Sequence, residues 1–251
     1  MPIDDIDKVI QNLDRNRIVA QAAASGSRLG YFPALYRKVT VQVARGIDDG
    51  HFEDGRRMER LDILFANRYL EAFERYGQGK AVPASWRLAF DTAGEWWPIV
   101  LQHLLLGINA HINLDLAVAA AEACPGPELA GLKNDFDRIN GILAALVDDV
   151  KAELTAIWPL LGWLDRLSGA AEDVLINFSM TKARDCAWQA AERLAATAPA
   201  QRGSIVEELD SQAAAIARVV KRPGVVAGTV TRLIRLGERK TVREVIEILS
   251  R

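Results

Sequence analysis

The chain has 251 residues, half of them hydrophobic, enough for one substantial core. Thirty-one basic and 33 acidic residues leave a net charge of −2, so no global field gathers nucleic acid. Two cysteines, Cys124 and Cys186, lie far apart without CxxC spacing, which excludes a disulfide framework or a cysteine-rich zinc site and fits a reducing compartment.

The N-terminus is acidic where an export signal would be basic and then apolar, so cytoplasmic residence is the expectation. Helical spacing then runs through almost every segment between Pro and Gly clusters, and period-two runs are nearly absent. An all-α bundle is predicted. Residues 4–23 read as an opening helix broken at Ser25-Gly26. After Phe32-Pro33, Leu35, Val39, Val43 and Ile47 repeat at four-residue steps until Gly50. Residues 58–76 repeat the pattern through Leu61, Phe65, Tyr69 and Phe73, and residues 85–93 form a short helix with Trp86 and Phe90 inward. An apolar helix over residues 95–123 follows, then a loop at Cys124-Pro125. Residues 129–158 form a long helix that Pro159 kinks or ends, with Asn134 or Asp135 as an N-cap among its acids. Further helices are predicted over 161–167, 170–198 (broken near Asn177) and 205–220. The predicted organisation is a helical domain over 1–222 and, after Arg222-Pro223-Gly224, a packing or dimerisation arm over 223–251 that could join two copies, a reading preferred to a membrane arm because Glu238, Glu244 and Glu247 dilute its charge.

The helix over 95–123 is too interrupted by polar residues to span a bilayer. Six polar side chains on a buried helix each need a partner, because an unpaired polar group costs several kcal/mol to desolvate. At about 100° per residue, Gln102, Asn109 and Asn113 fall on one stripe, either a row of interhelical amide bonds or a contact for a polar ligand. His111 and Asp115 form a second stripe at i and i+4. That spacing lets both hold one metal ion, lets the carboxylate orient the imidazole as a general base, or makes a purely structural pair. His103 lies two turns earlier, about 12 Å along the axis, so sharing a site with His111 requires a bend, for which Gly107 is the available point.

Other candidates are thinner. Asp62 sits on an otherwise apolar helix face as an inward carboxylate, which Arg57 or Arg60 could neutralise. His51, Glu53 and Asp54 form a turn that reads first as a solvated acidic loop. Asp148, Asp149 and Glu153 resemble the acidic helix motif of class I isoprenoid synthases, though a solvated face accounts for them. Arg184, beside Asp185 and Trp188, either neutralises a core carboxylate or holds an anionic ligand. No nucleophile elbow, P-loop or dinucleotide fingerprint is present.

Four stretches together resemble an uncharacterised bacterial all-helical family known only as a domain of unknown function: RMERLDILFANRY at 57–69, LQHLLLGINAHINLD at 101–115, DFDRIN at 135–140 and ARDCAW at 183–188. The likeness covers about residues 30–198 and implies no activity. The HxxxD step of His111 and Asp115 is also similar to the zinc-dependent phospholipase C and S1/P1 nuclease group, whose metal sites use that step on core helices. Three histidines in all cannot supply that group's trinuclear centre. What this resemblance implies is at most a one- or two-metal remnant, zinc or another divalent ion on His111, Asp115, His103, Asp62 and Asp135. The expected function is a metal-assisted hydrolase of a small ester or phosphoester, with His111, Asp115 and His103 catalytic. The alternatives are a non-catalytic helical protein binding a small ligand through Asn109, Asn113, Gln102 and Arg184, and a metal-free acid/base enzyme of cyclase or isomerase type.

Overall fold

The computed structural model describes residues 4–13, 18–158 and 180–251. Among them the secondary structure is helical throughout, with no strand. The opening segment is two helices, α1 (Ile6–Leu13) and α2 (Ile18–Ser25), followed by α3 (Tyr31–Asp48), α4 (Gly55–Gly77) and α5 (Ala84–Thr92). The central helix runs from Val100 to Ala123 as α6 (Val100–Ala110), a π-helical turn (His111–Asp115) and α7 (Leu116–Ala123). Then come α8 (Leu129–Ile157), α9 (Met180–Ala196), α10 (Arg202–Lys221), α11 (Val225–Gly237) and α12 (Val242–Leu249). The helices expected over 161–167 and at the start of 170–198, with the break near Asn177, lie outside the described residues.

Local chemistry explains the boundaries. Pro33 is tolerated in the first turn of α3, where its missing N–H has no bond to make. Asp54 caps α4 by accepting from Arg57 N at 3.0 Å. The α5 N-terminus is capped from a distance: Asp210 on α10 accepts from the backbone N–H of Ala84 (2.6 Å) and Ser85 (2.9 Å) and from the Ser85 hydroxyl. The central helix starts five residues later than the sequence suggested. Pro98 disfavours helical geometry at Trp97, and Gln102 folds back to accept from Ile99 N at 3.1 Å. Asn134 and Asp135 do not cap α8, because it begins a turn and a half earlier, at Leu129.

The central helix forms the axis of the molecule, with α3, α4, α5, α9 and α10 packed around it. It is long and apolar enough to cross a membrane, but 89% of that window is buried inside the protein. Its α7 portion packs against α9, and buried positions of both helices are rich in alanine (Ala117, Ala120 and Ala121; Ala183, Ala187 and Ala191). At the other end, Phe32 lies directly on Gly107, where a Cβ would come within 2.5 Å of the ring. Gly107 therefore admits an aromatic side chain and is not the point at which the helix distorts. A second apolar cluster gathers Tyr31, Leu104, Leu105 and Trp158 with Val245, Ile246 and Leu249 of α12, whose N-terminus is closed by a Thr241–Glu244 capping box.

Candidate functional site

The chemistry concentrates where the central helix widens. Leu116 N–H bonds to His111 O, five residues back rather than four. Such π-turns are rare and recur at functional positions. In an α-helix, residues four apart are offset by about 40°. The wider turn lowers the rotation per residue and brings His111 and Asp115 closer to one line. Their side chains meet, Nδ1 of His111 lying 3.2 Å from Oδ2 of Asp115.

Two other helices fix the carboxylate. Arg68 Nε on α4 donates to Asp115 Oδ1 at 3.1 Å, and the Trp86 indole on α5 donates to Oδ2 at 2.9 Å. Both oxygens of Asp115, itself 1% exposed, thus receive N–H groups. The His111 pKa is lowered: burial is the largest cause, and the bond to Asp115 opposes it. At neutral pH the ring is therefore uncharged. Because Asp115 can only accept, Nδ1 carries the proton and Nε2 presents a lone pair.

That lone pair has no hydrogen-bond partner. The imidazole is stacked on Phe65, ring centroids 3.5 Å apart and 8° from parallel, with the edge of Tyr36 at 4.5 Å and Phe32, Trp86 and Tyr69 around it. Three more buried polar atoms belong to this neighbourhood and also lack partners: Tyr36 Oη, Tyr69 Oη and Asp62 Oδ2. Burial raises the Asp62 pKa to about 7 and holds both phenols protonated, with the Asp62 charge adding to the effect on Tyr36. Native interiors leave few such groups unsatisfied, and each one marks a water, a ligand or stored strain.

On the outer side of Asp115 a pocket of about 390 Å³ opens between α4 and α5. Arg68, Glu71 and Arg75 line it along α4, Arg75 Nη1 lying 3.9 Å from Glu71 Oε1, and Trp86 and Asp115 form the wall it shares with the aromatic cage. Arg75 is anchored by donating Nε to Ala81 O at 2.9 Å.

The remaining predicted site residues are placed elsewhere. Gln102 donates to Val220 O (2.8 Å), Asn109 donates to Ala213 O (2.8 Å) and Asn113 donates to Asn109 Oδ1 (3.0 Å), so the amide stripe bonds α10 to the central helix. Arg184 donates to Asn140 Oδ1 (2.6 Å) and to the Phe136 carbonyl and stacks over the Phe136 ring, joining α9 to α8. His103 lies against the edge of Tyr31 at 5.6 Å, and its pKa is lowered to about 3 by burial, with Arg28 and Arg235 adding to the effect. Asp135 accepts four bonds, from Glu53 N, Arg138 Nη1, Asp54 N and Arg57 Nη2, at 2.7 to 3.0 Å. Burial alone would raise its pKa, but these donors outweigh burial and hold it below the usual carboxylate range. It latches the 51–54 turn to α8, and His51 of that turn is exposed. Among the described residues no three His, Cys, Asp or Glu side chains come together as a metal-holding group. Arg68, Arg75, Tyr36 and Phe65 were not singled out from sequence. The only local hint was that Phe65 and Arg68 fall three residues apart, within the same stretch as Asp62.

Fold and site together define an all-helical protein with a buried His–Asp pair on a π-turn beside an arginine-lined pocket. The chain belongs to the family of unknown function DUF5995, whose sequence profile matches residues 6–223. No curated protein and no solved structure matches it.

Proposed function

We propose that this chain is an acid/base enzyme for a small anionic substrate, with Nε2 of His111 as the general base, Asp115 as its orienting carboxylate and Arg68 and Arg75 drawing the anion to the pocket. The observation that carries the reading is the asymmetry of the imidazole: Nδ1–H is pinned on a carboxylate that two other helices fix, while Nε2 is a buried lone pair without a partner. An imidazole held in one tautomer with its far nitrogen free is arranged to take a proton. Hydrolysis of an ester or phosphoester by a water that His111 activates fits this arrangement, as does proton abstraction in an isomerase or cyclase. A resident metal fits less well, since Asp135 is held by four donors, His103 lies apart against Tyr31 with its own Nε2 unpartnered, and only His111 and Asp115 meet. The HxxxD likeness to the phospholipase C group then rests on these two residues alone.

A non-catalytic binding role is the second reading, favoured by how tightly Phe65 and Tyr36 enclose the imidazole. The test is nitrogen-15 NMR of the histidines during titration with inorganic phosphate and small carboxylates. The expected result is a neutral Nδ1–H tautomer for His111 at pH 7, with anion-dependent shifts at His111 and the Trp86 indole that Arg68→Gln reduces about tenfold or more in affinity. A proton on Nε2 at pH 7, or no response at either residue to any anion, would overturn the reading. Stoichiometric metal in the purified protein would reinstate the metal-assisted one.

A further inference from the structure

Every large hydrophobic side chain that stands exposed among the described residues belongs to three stretches: the 94–98 turn (Trp96, Trp97), the end of α10 (Ile216, Val219) and α11 (Val225, Leu233, Leu236). They adjoin one another. Lys221 at the end of α10 pairs with Glu95, and Arg235 of α11 donates to Trp96 O and lies over the Trp96 ring at 4.6 Å. Glu238 just beyond α11 accepts from Val100 N at 3.0 Å. Trp96 and Trp97 stand edge to face, 50% and 57% exposed. On α11, Val225, Thr229, Leu233 and Leu236 form one exposed stripe, and Thr231 and Ile234 are buried on the other side.

The charge around these residues is equally uneven. Residues 216–240 hold seven Lys or Arg and a single acidic residue, Glu238, a local excess of +6 in a chain of net −2. Glu238 is spent on Arg235 and Val100 N. Arg218, Arg222, Arg232 and Arg239 are exposed, with no carboxylate in salt-bridge contact among the described residues, and exposed Lys240 lies near Glu244.

We infer that this face docks the protein on an anionic lipid surface, α11 lying in the interfacial plane with Leu233 and Leu236 in the acyl boundary and the tryptophan pair at headgroup depth. Exposed aliphatic residues on an amphipathic helix, paired tryptophans and unpaired arginines are the combination such an interface rewards. Each basic residue near an anionic leaflet adds to binding. A second copy of the chain suits the face poorly, since a two-fold interface would set the same basic excess against itself. The inference is independent of the chemistry at His111.

The test is co-sedimentation of the full chain with vesicles of phosphatidylcholine alone and of phosphatidylcholine mixed with phosphatidylglycerol, followed by tryptophan emission. Binding to the anionic vesicles only is expected, with a blue shift and with loss in high salt. Leu233→Ser/Leu236→Ser and, separately, Arg218→Glu/Arg222→Glu/Arg232→Glu change exposed side chains and should leave the melting temperature in place while weakening binding about tenfold or more. Absence of binding, equal binding to neutral vesicles, or retention by both variants would overturn it. So would a dimer in solution that the leucine variant splits while vesicles bind nothing.

Discussion

Asp62 sits on α4 with its carboxyl group buried, Oδ2 unpartnered and its pKa raised to about 7. A carboxyl group whose folded pKa exceeds its unfolded value of about 3.9 favours the folded state when protonated. Its contribution is complete below about pH 4 and is lost as pH rises through about 7. Asp62→Asn, which cannot ionise, should therefore flatten this part of the stability profile and raise stability at pH 8 by about 2–4 kcal/mol, read by urea unfolding at pH 5 and pH 8. A variant equally destabilised at both pH values would show that Asp62 makes a bond that its geometry does not display. At this scale the sequence was informative about pairs close in the chain: four-residue spacing placed His111 against Asp115, and an acid on an apolar face identified Asp62 as inward. It was silent on Arg68 and Trp86, 47 and 29 residues from Asp115, because nothing local to either encodes that contact.

At the scale of elements, helices were legible because apolar periodicity and breakers such as Gly50 and Pro125 are local signals. Pro98 was such a signal too, but the predicted central helix begins at residue 95 and passes over it, missing the true start at Val100. The π-turn had none: HINLD contains no Pro or Gly, and Arg68 and Trp86, which meet Asp115 there, come from distant parts of the chain. Gly107 shows how a plausible local reading yields to packing. It was the natural place for a bend, yet it serves to seat Phe32. Gly107→Ala is expected to force that ring outward and to cost about 1–3 kcal/mol despite the better helix propensity of alanine, measured by chemical denaturation. Stabilisation by the substitution would mean that the Phe32 ring moves freely. The amide stripe illustrates the opposite case, since Gln102, Asn109 and Asn113 found partners on α10 and in each other and need no ligand to explain them.

For the molecule as a whole, buried titratable groups set the pH range of stability. His103 and His111 both have lowered pKa values, the former to about 3. A histidine depressed in the folded state contributes stability above its unfolded pKa of about 6.5 that is lost as pH falls towards its folded value. Asp62 acts in the opposite direction over the same interval. Glu238, whose pKa burial also raises, acts in that direction as well, and against these two carboxyl groups the two histidines favour proton binding by the unfolded chain, contributing a fall in melting temperature as pH drops from about 6.5 towards about 4.5. His103→Leu, which removes the group depressed to about 3 while keeping an apolar side chain against Tyr31, should reduce that fall in calorimetry. An unchanged slope would place the acid sensitivity elsewhere.

Asp115 is also the point at which three separately folded stretches become interdependent. Its oxygens take their donors from α4 and α5 as well as from the turn that bears it. If either helix undocks alone, a carboxylate is left in the interior short of a donor, a state costing about 1–3 kcal/mol. Partial assemblies carry that cost on top of their missing contacts, which couples the docking of α4, α5 and the central helix. The arrangement read above as chemistry is equally a lock on cooperativity, so opening the pocket wide enough to admit a substrate must leave these three bonds intact.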